Sequence, residues 1–293
     1  MSVRVGIVGA GPWAERFHAP TFAEGPETEL AGIWSRDVDA ADALAAKFGS
    51  RGAGSFEELL DTSDAIVFNV PPNVQAELAP RAAVAGKPLL LEKPLGLNLD
   101  QAQRIADAIA EHGTVNQVML SNRYSDTLPS FLDEASSRTP IGAIATFVND
   151  ACVPGGMFAT PWRIEIGAIL DLGPHVLDIL DAALGPIVDI RADGDPRRFV
   201  TVTSHHENGT VSQAGLSLTA TVDVDVAYMR LFTEEGEMAY EFFTGANPAP
   251  EIPGNLRAQF AQTVISGRSH EINVERVLYL QKLIDSAMQS LDR

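Results

Sequence analysis

The start of the chain limits the fold more than any other segment. Residues 5–14 read VGIVGAGPWA, an apolar strand that runs into the pattern G-x-G-x-x-A. Gly9 permits a tight turn, Gly11 lets the main chain approach a pyrophosphate, and Ala14 allows a helix to pack closely on the strand. The glycine pattern is weakly specific by itself. Its place on the first strand of an alternating strand and helix unit predicts a dinucleotide-binding domain.

Strand-like and helix-like segments alternate up to about residue 121. Apolar runs typical of strands occupy 3–8, 30–34, 65–70, 89–91 and 115–120, and helical stretches separate them. Two capping boxes, Ser55 with Glu58 and Asn98 with Gln101, indicate helix starts in this part. Because the strands are almost continuously apolar, we expect an α/β domain over 1–121 with a parallel, doubly wound sheet that is covered on both faces.

The sequence pattern changes after Asn122. Alternating runs, such as 214–221 and 227–232, have a period of two residues and predict antiparallel strands with two different faces. The last segment carries an apolar stripe at helical spacing from Val277 to Leu291. These features predict a second domain over 122–293, of the α+β type with a mainly antiparallel sheet.

The charge of the chain argues against two classes of partner. Among 293 residues there are 39 Asp and Glu against 21 Lys and Arg, which gives a formal net charge of −18. Such a surface repels nucleic-acid phosphates and anionic lipids. The apolar runs are also far shorter than the roughly 18 residues that a membrane span needs. We therefore expect neither a nucleic-acid nor a membrane partner, and the N-terminal residues show no pattern of a secretion signal.

Cysteine and histidine usage indicates a reducing compartment and no metal site. Cys152 is the single cysteine, so it forms no intrachain disulfide and builds no cysteine zinc site. His205 and His206 lie in a polar strand-to-turn region, and we expect both to be exposed. No histidine has further ligands at a recognisable spacing. These observations favour a cytoplasmic protein without a bound metal.

The end of the second strand bears on the type of dinucleotide. An acidic residue at this place would bond both ribose hydroxyls and select NAD. Here Ser35 stands at that place and Arg36 follows it. A small hydroxyl with a guanidinium suits a 2′-phosphate, which favours NADP. NAD stays the alternative, because the next residue, Asp37, could still reach the ribose.

Two further motifs carry candidate catalytic groups. The triplet of Glu92, Lys93 and Pro94 closes a strand at the edge where a parallel sheet presents its ligands, so its lysine can touch a substrate oxygen. In the second domain, Asp171 and His175 are four residues apart and share a face of a predicted helix. A histidine beside a carboxylate suits proton transfer near neutral pH. Taken alone, the sequence Glu-Lys-Pro is also common in surface turns. Likewise, an Asp and a His at this spacing are also typical of a helix-capping aspartate and a semi-buried histidine with a structural role.

These motifs, in this order, resemble the Gfo/Idh/MocA family of nicotinamide-dependent oxidoreductases over essentially the whole chain. The resemblance is carried by Gly9, Gly11 and Ala14, His18 before Ala19-Pro20, Asp64-Ala65-Ile66 before Pro71-Pro72, Ala85-Gly86-Lys87-Pro88 before Glu92-Lys93-Pro94, Arg123, Trp162-Arg163, and Asp171-x-Gly173-x-His175-x-x-Asp178. It implies a Rossmann domain followed by an α+β domain with a large open sheet. The sequence departs from the family's pattern at Val70, where a threonine is common, and at Gln75, where a histidine is common. It departs again at Gly167-Ala168, where a run of glycines is common.

The resemblance implies hydride transfer between NAD(P) and a carbinol or carbonyl carbon of a small polyhydroxylated substrate, such as a sugar or a cyclitol. It implies Lys93, Asp171 and His175 as the catalytic residues. We expect His175 to accept the hydroxyl proton in the oxidative direction, with Lys93 as the alternative. The residues expected to contact the cofactor are Gly9, Gly11, Pro12, Trp13, Ser35, Arg36, Pro71, Glu92 and Lys93. The alternative function is a non-catalytic NAD(P)-sensing regulatory protein of the same fold.

The resemblance also implies an assembly, because the outer face of the second sheet commonly makes a dimer in this family. The alternating strands carry apolar residues on both faces, which favours a homodimer, or a tetramer of dimers, through this sheet. The register decides which residues face outward. The candidates are Tyr228 or Met229, Phe232 or Leu231, and Phe242 or Phe243.

Overall fold

A computed structural model of the chain describes residues 2–156, 158–243 and 249–291. The main chain forms two compact units. The first consists of Met1–Met119 with Pro253–Leu278, and the second of Leu120–Ile252 with Tyr279–Arg293. The domain ranges 1–121 and 122–293 stay a prediction of the sequence.

The first unit begins with alternating strands and helices. In chain order they are β1 Val3–Val8, a π-helical stretch Ala14–His18 that continues into α1 Ala19–Ala23, β2 Thr28–Trp34, α2 Val38–Lys47, α3 Phe56–Thr62, β3 Ala65–Phe68, α4 Pro72–Val84, β4 Leu89–Glu92, α5 Leu99–His112 and β5 Asn116–Met119. The five strands form one parallel sheet in the order β2-β1-β3-β4-β5. The predicted parallel sheet is confirmed, and its strand order reverses between β1 and β3. Ligands bind outside the carboxyl ends of the strands at such a reversal.

The predicted capping residues fix two of the helices in this unit. The Ser55 side chain accepts a hydrogen bond from the Glu58 N–H at 3.0 Å and begins α3. The Asn98 side chain accepts one from the Gln101 N–H at 3.0 Å and begins α5, which ends before Gly113 in the left-handed region. Short polar side chains at these places satisfy N–H groups that the first helical turn leaves open.

The second unit starts with a 3₁₀ turn, Ser121–Tyr124, and contains most of the remaining elements. They are α6 Thr127–Ser136, β6 Pro140–Val148, α7 Pro161–Ile166, α8 Ala168–Asp171, α9 Gly173–Leu184, β7 Ile187–Asp195, β8 Phe199–His206, β9 Val211–Ser217, β10 Val226–Thr233 and β11 Gly236–Glu241. These six strands form a sheet in the order β11-β10-β6-β9-β8-β7. All pairs are antiparallel except β6 with β9, so the predicted mainly antiparallel sheet is confirmed.

The register of β10 determines which of its residues face the core and which face outward. Met229 and Leu231 are both 0% exposed, whereas Phe232 is 37% exposed on the opposite face. Arg230 is paired with Ile144 of β6, which is 49% exposed. The outer face of the sheet therefore carries the set that contains Tyr228 and Phe232, while Phe242 is buried.

Two helices close the described chain, α10 Ile252–Ser266 and α11 Val274–Leu291. The segment 253–278 is fastened to the rest of the first unit by polar contacts. Arg257 donates to the carboxylate of Glu27 at 2.8 Å and lies 3.1 Å from that of Glu24. The hydrogen bond from Arg257 lowers the pKa of Glu27. In addition, the Val118 N–H donates to the carbonyl of Ile272 at 2.8 Å. Within the described ranges, no helix is both long enough and apolar enough to cross a membrane.

Candidate active site

Gly9 forms the turn that follows β1. Its φ is +113°, and a Cβ atom there would lie 2.1 Å from the carbonyl oxygen of Asn69. Its N–H donates to the carbonyl of Trp34, at the end of β2, over 2.7 Å. Glycine is needed at this place for both reasons, the positive φ and the close approach of the strand that follows.

Gly11 has a different environment, because no described atom beyond Gly11 and its two chain neighbours lies within 4 Å of the place where its Cβ would be. Residues 12 and 13 are helical and lead into the π-helical stretch Ala14–His18, and Ala14 is 0% exposed. The first turn of a helix leaves main-chain N–H groups open, and open space in front of them suits an anion. The turn therefore fits the pyrophosphate of a dinucleotide, which Gly11 and the helix start would hold.

The residues after β2 lie at the same edge of the sheet as Gly9. Asp37 begins α2, and its Oδ1 accepts a hydrogen bond from the Ala40 N–H at 3.0 Å. Ser35 is half-buried, and its hydroxyl accepts a hydrogen bond from the Asp37 N–H at 3.3 Å. Arg36 is exposed. The carboxylate of Asp37 is thus engaged as a helix cap.

Glu92, at the end of β4, is held by the helix that follows the glycine turn. Its Oε1 accepts a hydrogen bond from Trp13 Nε1 at 3.2 Å and lies 2.6 Å from Nε2 of His18. His18 is 0% exposed, and its Nδ1 has no hydrogen-bond partner among the described residues. The imidazole therefore uses Nε2 to donate to the carboxylate. The structure brings together Trp13 and Glu92, two of the predicted cofactor residues, and adds His18, for which the sequence suggested no role.

Lys93 follows Glu92 at this edge and is half-buried. Pro71, which caps α4 after β3, is exposed at the same edge. The carboxyl ends of parallel strands lie on one side of a sheet. The predicted cofactor residues of the first unit thus share one edge, and Lys93 lies among them.

Asp171 and His175 are both buried, 6% and 8% exposed, in two successive short helices of the second unit. Asp171 ends α8, and Leu172, in the right-handed helical region, connects it to α9. Pro174 lies in the first turn of α9, where the missing N–H costs no hydrogen bond. Because a new helix, α9, begins at Gly173, Pro174 does not interrupt a helix between Asp171 and His175.

Each of the two carboxylates in this region has an arginine partner, and the sequence did not predict these pairings. Nε of Arg163 lies 3.2 Å from Oδ1 of Asp171, and its guanidinium stacks on the ring of Trp162 at 4.4 Å. Arg123 donates from Nε and Nη2 to the two oxygens of Asp178 at 2.5 and 3.0 Å. In this region each carboxylate is thus paired with one guanidinium group. In the sequence, Arg123 and Arg163 were marked only as two of the residues that carry the family resemblance.

The two neighbouring histidines of β8 differ in exposure. His205 is exposed as expected, but His206 is buried at 2%, and its ring contacts the carbonyl of Gly185 at 2.7 Å and the hydroxyl of Ser212 at 2.9 Å. Burial lowers the pKa of His206. The exposure expected for His206 is wrong, because the alternation of β8 turns it inward. In the part of the chain that the structure describes, no group of three or more His, Cys, Asp or Glu could hold a metal ion.

Comparison with known proteins finds counterparts for this sequence. Residues 3–120 match the family model GFO_IDH_MocA, described as an oxidoreductase family with an NAD-binding Rossmann fold. The chain is 27% identical over 259 residues to dTDP-3,4-didehydro-2,6-dideoxy-alpha-D-glucose 3-reductase of Streptomyces violaceoruber, a match that covers 82% of this chain and 73% of that protein. It is 27% identical over 266 residues to UDP-N-acetylglucosamine 3-dehydrogenase of Acidithiobacillus ferrooxidans, with 86% of this chain and 80% of that protein covered.

The fold of the whole chain also has a solved counterpart. GenD2 from gentamicin A biosynthesis, in complex with NAD, superposes with a TM-score of 0.86 at 21% identity and covers 99% of this chain and 94% of that one. The likeness extends over both units and not only over the dinucleotide-binding part. Residues 3–120 therefore belong to the Gfo/Idh/MocA oxidoreductase family, and the chain is an NAD(P)-dependent oxidoreductase.

Proposed function

We propose that the chain transfers hydride between NADP and carbon 3 of a hexopyranose. The observation that carries the proposal is the position of Lys93, which follows β4 at the same sheet edge as the Gly9 turn. The two relatives described above are named for chemistry at position 3 of a sugar, one as a reductase and one as a dehydrogenase. We place the protein in the cytoplasm, since its single cysteine fits a reducing compartment.

In the oxidative direction the carbinol carbon gives up a hydride and its oxygen gives up a proton, which leaves a ketone. The bound cofactor supplies the hydride acceptor. We assign the proton to His175, whose ring nitrogen would act as the general base, and the positioning of a substrate oxygen to Lys93. Asp171, which pairs with Arg163 and lies four residues before His175, would orient the catalytic groups. Reduction of a ketone follows the same steps in reverse.

Deuterium transfer tests this assignment directly. A panel of glucose, methyl glucoside, glucose 6-phosphate, UDP-N-acetylglucosamine and myo-inositol is incubated with NADP and with NAD, and reduced nicotinamide is followed by absorbance. For the best sugar, a substrate deuterated at carbon 3 should deliver its label to the nicotinamide. Label that moves only from carbon 1 would refute chemistry at carbon 3. Tight dinucleotide binding without turnover of any compound would favour the alternative, a non-catalytic NAD(P)-sensing regulator.

The choice of NADP over NAD is supported by the residues that follow β2. The carboxylate of Asp37 caps α2, and neither Ser35 nor the exposed Arg36 has a described contact with a carboxylate group. We expect Ser35→Asp to weaken NADP at least about tenfold, because it sets a carboxylate against the 2′-phosphate. The affinity for NAD should stay equal or rise.

Titration calorimetry with both dinucleotides measures this change. Ser137→Asp, which adds the same charge at an exposed place after α6, is the matched control and should leave both affinities unchanged. If the wild type binds NAD more tightly than NADP at equal concentration, the preference is wrong and Asp37 becomes the candidate ribose contact.

We also propose a homodimer, or a tetramer of dimers, through the outer face of the six-stranded sheet. Large apolar side chains lie exposed on it, among them Ile144 and Phe199 at 49% each and Phe232 at 37%. A face of this kind that meets its own copy gives a self-complementary contact. The double variant Ile144→Glu with Phe232→Glu should lower the mass measured by light scattering to that of one chain. Val84→Glu, at an apolar side chain on α4 that is 63% exposed, is the control. A wild type that is monomeric at micromolar concentration would refute the assembly.

A further inference from the structure

Gln75 lies in the first turns of α4, fully buried at 0% exposure, with its carboxamide against the turn that follows β4. Its Nε2 donates to the carbonyl of Glu92 at 2.8 Å and to that of Leu95 at 3.2 Å, with the carbonyl of Pro94 at 3.4 Å. Its Oε1 accepts a hydrogen bond from the Glu92 N–H at 2.9 Å. One side chain thus contacts the main chain on both sides of Lys93.

The turn needs such a partner because the chain leaves the sheet at this point. The pairing of β4 with β5 reaches Glu92, and the turn 93–95 lies beyond the end of that ladder. Main-chain groups that are buried without a hydrogen bond are costly, and Pro94 itself has no N–H to contribute. A side chain from a neighbouring helix, held by helix packing, therefore supplies hydrogen bonds where the sheet ends.

The contacts restrict the orientation of Lys93 in particular. The residue before it is fixed through both its N–H and its carbonyl, and the residues after it through their carbonyls. The Glu92 side chain is held separately by Trp13 and His18, so the strand end is fixed from two directions. The main chain of Lys93 has little freedom left, and its side chain starts from a defined place.

We infer that Gln75 is a positioning residue that holds Lys93 in its reactive orientation. The inference rests on the proposed function for the role of Lys93, and it concerns a residue that does not itself touch substrate. A glutamine carboxamide has one acceptor oxygen and two donor hydrogens. In this turn the oxygen accepts from the Glu92 N–H, and the donor hydrogens bond to main-chain carbonyls. Displacement of a catalytic group by about 1 Å costs up to about 10²-fold in rate, so loss of this anchor should reduce turnover strongly.

Gln75→Met, Gln75→His and Gln117→Met test the inference. Methionine matches the size of glutamine but makes none of these hydrogen bonds. A neutral histidine keeps one donor and one acceptor and should restore part of the effect. Gln117 of β5 is the matched control, since it is also 0% exposed and its Oε1 accepts a hydrogen bond from Thr263 at 3.0 Å. Both methionine variants are expected to unfold at a lower temperature than the wild type.

The first measurement reads the environment of Lys93 without any turnover. The chain has four lysines, Lys47, Lys87, Lys93 and Lys282, so ¹³C-dimethylation gives a simple NMR spectrum, in which Lys93→Arg identifies the signal of Lys93. Gln75→Met should shift or broaden the Lys93 signal alone. Gln117→Met should leave it in place.

The second measurement uses the sugar that the panel identifies. Gln75→Met should lower kcat about 10- to 10²-fold with little change in the KM for the dinucleotide. The deuterium isotope effect on kcat should rise, because hydride transfer becomes slower relative to product release. Gln117→Met should change neither, although it loses stability too.

Two results would overturn the inference. One is a Lys93 signal that stays the same in Gln75→Met. The other is a loss of kcat that is equal in Gln75→Met and Gln117→Met, which would make Gln75 a residue of stability only. If the wild type turns over no compound of the panel, the proposed function fails, and the NMR comparison alone decides the role of Gln75.

Discussion

His175→Gln and Lys93→Met are each expected to lower kcat by about 10²- to 10⁴-fold, the usual cost of losing a positioned acid or base. Dinucleotide affinity should change little in His175→Gln, since His175 is not among the residues expected to contact the cofactor. His205→Gln and Lys47→Met serve as controls, because both side chains are exposed. The rates are measured with the sugar and dinucleotide that the panel selects, at saturating concentrations of both.

Chemical rescue separates the two candidates for the proton. Imidazole added to His175→Ala, or alkylamines added to Lys93→Ala, should restore turnover only where the missing group carries the proton. The restored rate should then rise with the basicity of the added compound. We expect this for His175→Ala. Rescue by amines with such a dependence in Lys93→Ala, and none in His175→Ala, would transfer the role to Lys93. Near-normal turnover in both single variants would refute the site assignment.

Arg123→Met should lower the free energy of unfolding by about 3–5 kcal/mol, because it leaves a buried carboxylate without its cation. Asp178 is 1% exposed, and Arg123 binds both of its oxygens. A carboxylate at that depth has little water to replace the guanidinium. Equilibrium denaturation by urea measures the loss.

Two further variants show whether the unpaired charge is the cause. The double variant Arg123→Met with Asp178→Leu removes both charges and should regain a large part of the loss. Arg138→Met breaks an exposed pair with Glu134 and should cost less than about 1 kcal/mol. A double variant that is no more stable than Arg123→Met would show that packing, not the buried charge, dominates at this place.

The sequence by itself determined the parallel sheet, the glycine turn and the caps of its helices. These features depend on contacts between residues close in the chain, such as the hydrogen bond from the Gln101 N–H to Asn98, or on conformations that few residues adopt, such as the positive φ of Gly9. Parallel strands of apolar residues also have only a few arrangements, and in these their carboxyl ends lie at one edge. For these reasons the sequence alone is enough to place Lys93 at the same sheet edge as the glycine turn.

Only the tertiary structure decided which face of the second sheet is buried and which side chains pair. A period of two residues is the same for both faces, so the choice between Met229 and Tyr228 depends on which face the rest of the unit covers. Arg123 finds Asp178 across 55 positions of the chain, and Gln75 reaches Glu92 across 17. Such partners are set by how helices and strands pack, and no local pattern in the sequence encodes them. The sequence therefore named Gln75, Arg123 and Arg163 without indicating which groups they contact.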